Sequence, residues 1–392
     1  MAAVIIGPMH VAFVCHSLNP ATGGVASATL ELAGALADRG HAVTIITCDD
    51  PAAPWVRQSS SPIRMLPVGP AVPAQNFYGF IPDLEARLAN LAHPDVLILN
   101  GLWLFSTAGF ARWARKQKVP YVLFPHGMLD AYFRRNWFRH FKKLCYYAFV
   151  ERRSLHAAAA LLYTAGAELD AGQRTFPFFH PHRQVVVGLG LRSSPTPLPA
   201  AREAFLSRFP QLRDKPYLLY LSRFHPKKAP HLLLKALPAF PKFTLVMAGP
   251  LDGTAYLHTL QRLAPPGQVV WTGLLEGELK WGALAAAEAV ILPSHQENFG
   301  MVVAEALSVG TPVLISDKVA LAPDVLADGC GLVAPDTLAG VYTLLAHFTT
   351  LTDPERSALR ANALACYQKR FQPCAVAARL EPLLSEVARH NP

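Results

Sequence analysis

Two carboxylates eight positions apart, Glu297 and Glu305, bracket Asn298, Phe299 and Gly300 in the stretch PSHQENFGMVVAEALSVGT, residues 293–311. An apolar run, Ala289 to Leu292, stops at Pro293, and Val302, Val303, Ala306 and Leu307 then recur at helical spacing. Strand, loop and helix therefore follow one another. A helix beginning near Gly300 puts Glu305 roughly 7 to 8 Å along its axis. The free N–H groups at such a helix start favour anions, phosphate in particular. An acid, a phosphate cradle and a second acid suit a nucleotide sugar. Either Glu alone is also an ordinary helix-face or loop carboxylate. Their place beyond the carboxyl end of a buried strand, where open α/β sheets bind ligands, favours the binding role.

Other strand ends carry similar chemistry. The segment PYLLYLSRFHPKKAP places Arg223 and Lys228 five apart, after the strand Tyr217–Leu221 and before a helix near Pro230. Arg offers bidentate contacts and Lys a point charge, which suits a diphosphate, with Lys227 as the alternative cation. Glycine loops follow the strands at Gly249 and Gly273, and Gly23 and Gly24 open a helix after the strand His10–Cys15. Glycines there let backbone approach a ligand closely, although turns use them routinely. The pattern is not a G-x-G-x-x-G dinucleotide fingerprint. Asn100, Gly101 and Trp103 follow one strand and Pro125, His126, Gly127 and Met128 another, so both groups are expected at the same sheet edge. A lone His is more often structural, but His126 lies at a strand's carboxyl end.

The Glu, seven residues, Glu arrangement in its PS-x-x-E-x-FG context resembles the retaining glycosyltransferases of family 4, which have the GT-B fold. The R-x-x-x-x-K run and the HGMLD run, the latter met in the bacterial polysaccharide branch, extend the resemblance over most of the chain. It implies that Glu305 accepts the ribose hydroxyls and that Glu297 and His126 contact the donor sugar. Arg223 and Lys228 would neutralise the leaving diphosphate beside Asn298, Phe299 and Gly300. Gly23, Gly24, Gly249 and Gly273 would line the donor, and Asn100 and Trp103 would lie on the acceptor side. Relatives often have a second His at Asn100, and glycine is common at Ala229. The expected reaction is transfer of a hexosyl unit from a UDP- or GDP-sugar to a glycan or lipid-linked acceptor in surface polysaccharide assembly. Its rivals are a GT-B sugar-nucleotide epimerase and a catalytically silent scaffold. No metal and no cofactor beyond the donor itself is expected.

The alternation of strand-length apolar runs with helical segments predicts parallel, doubly wound sheets. The reading is an α/β chain of two Rossmann-like domains facing across a cleft. These are residues 1–190 on the acceptor side and 191–372 for the nucleotide sugar, divided at the proline-rich GLGLRSSPTPLP. A last helix, 373–392, would cross back to the first domain. The chain has 392 residues, 52% hydrophobic and 16% charged, ample for sizeable cores. Six cysteines show no C-x-x-C spacing, and Asp49 and Asp50 form no D-x-D pair, so a reducing cytosol and a loop role for the two acids are expected. The amino terminus lacks a basic region, and no apolar run reaches the roughly 18 residues of a membrane span. The net charge of +9 is concentrated in AYFRRNWFRHFKKLCYYAFVERR, residues 131–153, with seven basic residues and one acid. That patch reads as an anionic membrane surface contact or as a core helix with a solvated basic face. Nucleic acid is not expected, since no other part of the chain forms a nucleic-acid module. The expected location is cytoplasmic, with peripheral contact at the inner face of the cell membrane.

Overall fold

The structure, a computed structural model, describes residues 7–57, 62–69, 78–129, 137–175 and 181–389. It forms two compact units, one of Met1–Leu191 with Pro373–Pro392 and the other of Arg192–Gln372.

The first unit carries the strands β1 (His10–Cys15), β2 (Ala42–Thr47), β3 (Ile63–Pro67), β4 (Val96–Asn100), β5 (Tyr121–Phe124), β6 (Ala160–Tyr163) and β7 (Gln184–Val186). They lie in the order β3-β2-β1-β4-β5-β6-β7, all parallel. Strands of a parallel sheet are covered on both faces, which is why they read as unbroken apolar runs. Every residue of β4, β5 and β6 is buried accordingly. The sheet contains two strands that periodicity does not reveal. At the edge, β3 is only half-buried and includes Arg64 and Pro67, and β6 emerges from an alanine-rich run whose local preference is helical. Tertiary pairing with β5 and β7 overrides that preference.

The helix Pro373–Arg389 belongs to the first unit. Its Glu381 accepts hydrogen bonds from Arg39 Nε (3.0 Å) and from His41 Nε2 (2.8 Å). The Met9 amide donates to His41 Nδ1 (3.2 Å), so the buried imidazole carries its proton on Nε2. Burial pushes the Glu381 carboxyl up, but the bonds from Arg39 and His41 outweigh it and hold the group below its ordinary range.

The second unit has β8 (Tyr217–Leu221), β9 (Thr244–Ala248), β10 (Val269–Gly273), β11 (Ala289–Leu292), β12 (Val313–Ser316) and β13 (Gly331–Ala334), in the order β10-β9-β8-β11-β12-β13 and again parallel. The helical stretch after Asp336 is two helices, Leu338–Thr350 and Asp353–Arg370. Thr352 and Glu355 form a capping box at the start of the second, with Pro354 in its first turn, where a proline's missing N–H does no harm.

Both sheets reverse their strand order once, between β1 and β4 in the first unit and between β8 and β11 in the second. At such a switch point adjacent loops leave the sheet in opposite directions and open a crevice at the carboxyl ends. The loops at these two points are those that carry Gly23 and Asn100, and Arg223 and Glu297.

Candidate functional site

In the second unit the loop after β8 closes with a single 3-10 turn, Pro226–Lys228, and Ala229 then takes a left-handed conformation, φ +50°. That geometry is disfavoured for a residue with a Cβ, which explains why a glycine suits this position. The His295 amide donates to Lys227 O (2.9 Å), tying the loops after β8 and β11 together across the switch point. Backbone bonds from Glu297 N to Lys318 O (3.1 Å) and from Ala320 N to Glu297 O (3.0 Å) clamp Glu297 to the loop after β12.

This scaffold brings Lys228 and Glu297 into a direct ion pair, with side chains only 14% and 17% exposed. A second pair joins Lys280 Nζ to Glu305 Oε1 at 3.0 Å, and the Lys280 ammonium also lies 4.6 Å from the Trp281 ring centroid. The helix Met301–Ser308 starts between the two pairs. Gly300 precedes it at φ +83° and supplies no side-chain cap to the first-turn amides. A Cβ on Gly300 would lie 3.1 Å from Glu297 Cγ, so the glycine serves both the turn and the close approach. Phe299 is buried edge-on against Phe371, with ring centroids 5.7 Å apart. Arg223 is exposed and makes no ion pair among the described residues. The arrangement is a helix start flanked by two carboxylates, each already neutralised by a lysine. An incoming diphosphate would compete with Glu297 for Lys228, so the cation can be transferred without being desolvated afresh.

Two glycines in this unit have different physical reasons. Gly273 sits at φ +75°, where a Cβ would meet only Leu251 Cδ1 at an ordinary 3.9 Å, whereas a Cβ on Gly249 would come within 2.3 Å of Ser222 O. Close packing of β8 on β9 is by itself enough to require glycine at Gly249.

The first unit holds a different kind of site. His126 Nε2 lies 2.8 Å from Asn100 Oδ1, while Asn100 Nδ2 donates to Val14 O (3.1 Å) and Ile98 O (3.4 Å). These donations orient the amide, so its oxygen faces the ring, Nε2 is the protonated nitrogen and Nδ1 is left as the acceptor. Phe124 stacks on the imidazole at 4.1 Å, and burial lowers its pKa to about 3, so His126 is neutral at any physiological pH. Its backbone is left-handed, φ +52°, as is that of Trp103, φ +71°. The next residue, Gly127, donates its amide to buried Glu168 Oε1 at 2.5 Å, and Glu168 Oε2 accepts from Thr164 N (2.8 Å) and Thr164 Oγ1 (2.7 Å). The Trp103 indole donates to Met128 O (3.1 Å), and Lys143 Nζ lies 4.8 Å from the Trp103 ring. Asn100, Trp103 and the turn 125–129 are therefore one hydrogen-bonded assembly.

Gly23 takes φ +98° just before the helix Gly24–Asp38, with nothing within 4 Å of its missing side chain. Asp49 anchors the loop beneath it, accepting from Ser17 Oγ (2.6 Å), Leu18 N (2.7 Å) and Thr47 Oγ1 (2.6 Å), a structural task that agrees with a loop role. A separate cavity of about 800 Å³, lined by Arg115, Lys118, Tyr121, Arg183 and Glu386 among others, lies at the amino ends of β5 and β7, the edge opposite His126.

Two residues of these assemblies escape sequence reasoning, Lys280 and Glu168, and Lys143 reads only as part of the basic patch 131–153, not as a partner of Trp103. Each lies on an element distant in sequence from its partner, and neither Lys280 nor Glu168 stands in a recognisable motif. Among the described residues, no group of three or more His, Cys, Asp or Glu is placed to hold a metal ion. Of the patch 131–153, residues 131–136 lie outside the described residues. The remainder forms the helix Trp137–Tyr146 and the turn that follows, with Phe141 52% and Phe149 84% exposed. No helix is long and apolar enough to cross a membrane among the described residues.

Residues 23–190 match the family described as glycosyl transferase 4-like domain, and residues 203–346 match glycosyl transferases group 1. The D-inositol 3-phosphate glycosyltransferase of Mycolicibacterium smegmatis is 33% identical over 137 residues, 33% of this chain and 31% of the relative, so the match spans about a third of that protein. The GDP-mannose-dependent alpha-mannosyltransferase of the same organism is 27% identical over 325 residues, 79% of this chain and 80% of that one. Anabaena HepE, solved with UDP and glucose, superposes with a TM-score of 0.70 at 19% identity, covering 96% of this chain and 100% of its own. With both units matched in sequence and the same two parallel-sheet architecture recovered in structure, the chain belongs to the group 1, family 4-like glycosyltransferases and has their GT-B fold.

Proposed function

We propose that this protein is a retaining glycosyltransferase that moves a hexosyl unit from a UDP- or GDP-sugar to a glycan or lipid-linked acceptor, in assembly of surface or extracellular polysaccharide. The observation that carries the reading is the pair of lysine-carboxylate contacts, Lys228 with Glu297 and Lys280 with Glu305, on either side of an uncapped helix start at the switch point of the second unit. Relatives named for GDP-mannose and solved with UDP support a nucleotide-diphosphate donor.

In the reaction the bond from the anomeric carbon to the diphosphate oxygen breaks, and the diphosphate keeps the electron pair. The acceptor hydroxyl bonds to the same face of the sugar, and its proton passes to the departing diphosphate. Arg223, Lys228 and the amides after Gly300 stabilise the charge developing on the leaving group. Three protein donors of this kind can do the work a metal ion does elsewhere, so the reaction is proposed to need none. Glu305 accepts the ribose hydroxyls, and Glu297, released from Lys228, accepts a sugar hydroxyl. His126, neutral and with its tautomer set by Asn100, contacts the donor sugar as a hydrogen-bonding group and not as a charge. Asn100 and Trp103 serve the acceptor.

The test is a thermal-shift panel of UDP-, GDP-, ADP- and TDP-sugars on the wild type and on Glu305→Ala. A ligand at 100 times its Kd adds about 2.7 kcal/mol of stability. A shift with one nucleotide class that disappears in the variant supports the reading. No shift with any donor, together with no donor hydrolysis, overturns it, and formation of an epimerised donor without an acceptor would identify an epimerase instead.

Membrane contact through residues 131–153 is part of the proposal. It is supported by the exposure of Phe141, Lys142 and Phe149 within one short stretch, a combination of apolar and basic groups that suits an anionic lipid surface. Sedimentation with anionic liposomes at low salt checks it, and absence of binding removes it.

A further inference from the structure

We propose that the cavity at the amino ends of β5 and β7 is a second binding site, one that takes a phosphate monoester carried on a sugar ring. It measures about 800 Å³, inside the range of about 300–1,000 Å³ usual for small-molecule pockets and far more than a bare phosphate needs. Every residue that lines it belongs to the first unit. The start of β5 and the alanines ahead of β6 give it an apolar lining. Its charges are three cations, Arg115, Lys118 and Arg183, against one carboxylate, Glu386. His126 follows the other end of β5, so the strand's length, roughly 13 Å, separates this cavity from the assembly at the carboxyl edge.

The backbone presents these cations on rigid elements. The helix Phe105–Lys116 ends in a Schellman turn, in which Val119 N donates to Ala114 O (2.9 Å) and Lys118 N to Arg115 O (3.3 Å). Lys118 therefore occupies the left-handed position, φ +56°, that glycine normally takes at a helix end. A lysine there is held at a conformational cost, and such costs gather at functional sites. The same turn brings Arg115 to the cavity. On the other side, Leu161 N donates to Arg183 O (2.9 Å) and ties Arg183 to the sheet just before β7.

The charges present suit a dianion. Arg115 Nη1 donates to Arg153 O at 3.3 Å, a long bond that leaves most of the guanidinium fork for a ligand. Arg183 Nη1 lies 2.8 Å from Glu386 Oε2, with side chains 44% and 51% exposed. A pair so open to water is screened and exchanges partners readily. Arginine forks and a lysine ammonium together match the oxygens of a phosphate monoester. Glu386, released from Arg183, then accepts a ring hydroxyl, and the apolar lining packs against the C–H face of the sugar. A neutral sugar would leave the positive surplus unanswered.

The experiment is hydrogen exchange with ribose 5-phosphate, AMP and, as the neutral control, ribose, followed by calorimetric titration of any ester that protects. At least one ester should slow exchange in peptides covering residues 114–121 and 181–187 and leave 297–308 unchanged, while ribose does nothing. Protection by ribose 5-phosphate identifies a sugar phosphate as the ligand, and protection by AMP alone identifies a nucleotide. Lys118→Gly and Arg115→Met should each weaken binding by about tenfold or more, the usual loss for a charge-assisted hydrogen bond. Lys118→Gly suits the left-handed turn, so its melting temperature should be no lower than that of the wild type. No protection by either ester at about 10 mM, well above a millimolar Kd, overturns the proposal. Protection confined to 297–308, or unchanged affinity in both variants, overturns it equally. Donor-induced thermal shifts and their loss in Glu305→Ala do not depend on this cavity, so its failure and that of the proposed function are separate results.

Discussion

The two switch points share one topology and solve opposite electrostatic problems. In the second unit, carboxylates and lysines are paired and partly exposed, with Lys228–Glu297 and Lys280–Glu305 flanking a helix start. In the first, His126, Asn100 and Trp103 are neutral and joined by hydrogen bonds, His126 to Asn100 and Trp103 to Met128, on backbone bent into the left-handed region at Trp103 and His126, while Glu168 and Lys143 hold the loops that carry them. Paired charges can exchange partners with an arriving anion, such as the proposed diphosphate. Neutral groups joined by hydrogen bonds, as at His126, Asn100 and Trp103, cannot, and they are suited to holding uncharged hydroxyls in one orientation. The same fold can therefore serve charge stabilisation at one sheet and positioning at the other.

The sharpest way to break this contrast is to remove a charge from the second unit. Lys228→Met leaves Glu297 unpaired and takes one donor from the leaving group. Turnover should fall about 10²- to 10³-fold, the usual loss for one such donor, and steady-state kinetics would measure it. Retention of full activity would show that the pair is ornamental and that Lys227 carries the role.

Lys280→Met and Glu305→Gln probe the second pair. Each should weaken donor binding by about 10- to 100-fold, a loss of roughly 1.5–3 kcal/mol for a hydrogen bond to a charged group, with turnover at saturating donor less affected. Calorimetric titration with the nucleoside diphosphate reads this directly.

The neutrality of the first site is tested by pH. The folded pKa of His126 is lowered to about 3, below its ordinary 6.5, so the unfolded chain binds a proton before the folded one does. Its contribution to stability is complete above pH 6.5 and is lost as pH falls towards 3. Glu151 runs the other way. Its folded pKa is raised, so its contribution is complete below about 4.5 and is lost as pH rises through about 8. Melting curves from pH 4 to pH 9 should lose their acid-side slope in part in His126→Gln and their alkaline-side decline in part in Glu151→Gln. Asn100→Asp places a carboxylate on His126 Nε2 and should raise the imidazole pKa, visible in NMR titration of the ring protons.

The smallest effect is at Ala229, whose φ of +50° suits glycine. Relief of the left-handed strain, about 1 kcal/mol, is offset in part by the roughly 0.5 kcal/mol that glycine's freedom in the unfolded chain costs, so Ala229→Gly should raise Tm by about 1–2 °C for a unit of this size. A fall in Tm would show that the left-handed turn is not strained.

Much of this was legible in the residues alone. The buried runs before Pro293, Asn100 and Pro125 read as parallel strands because both faces are covered. Glu297 and Glu305 could be related because only three residues separate Glu297 from the helix that carries Glu305. What stayed hidden was either weak local signal or long-range pairing. Neither the half-buried edge strand β3 nor the alanine-led β6 has a periodicity to find. Lys280 is 25 residues from Glu305, and Glu168 is 41 from Gly127, so no spacing rule joins them. Glu151 read as the single acid in a basic patch, with nothing local to mark it as buried.

The sequence by itself determined the strand and helix alternation, the two-unit α/β architecture and the residue types gathered at the strand ends, because these follow from short-range periodicity and from chemistry carried within a few residues. Only the tertiary structure decided which charges are paired, which imidazole nitrogen holds the proton, and that Glu151 has lost its solvent. Those properties depend on groups brought together from distant parts of the chain and on the water that packing excludes.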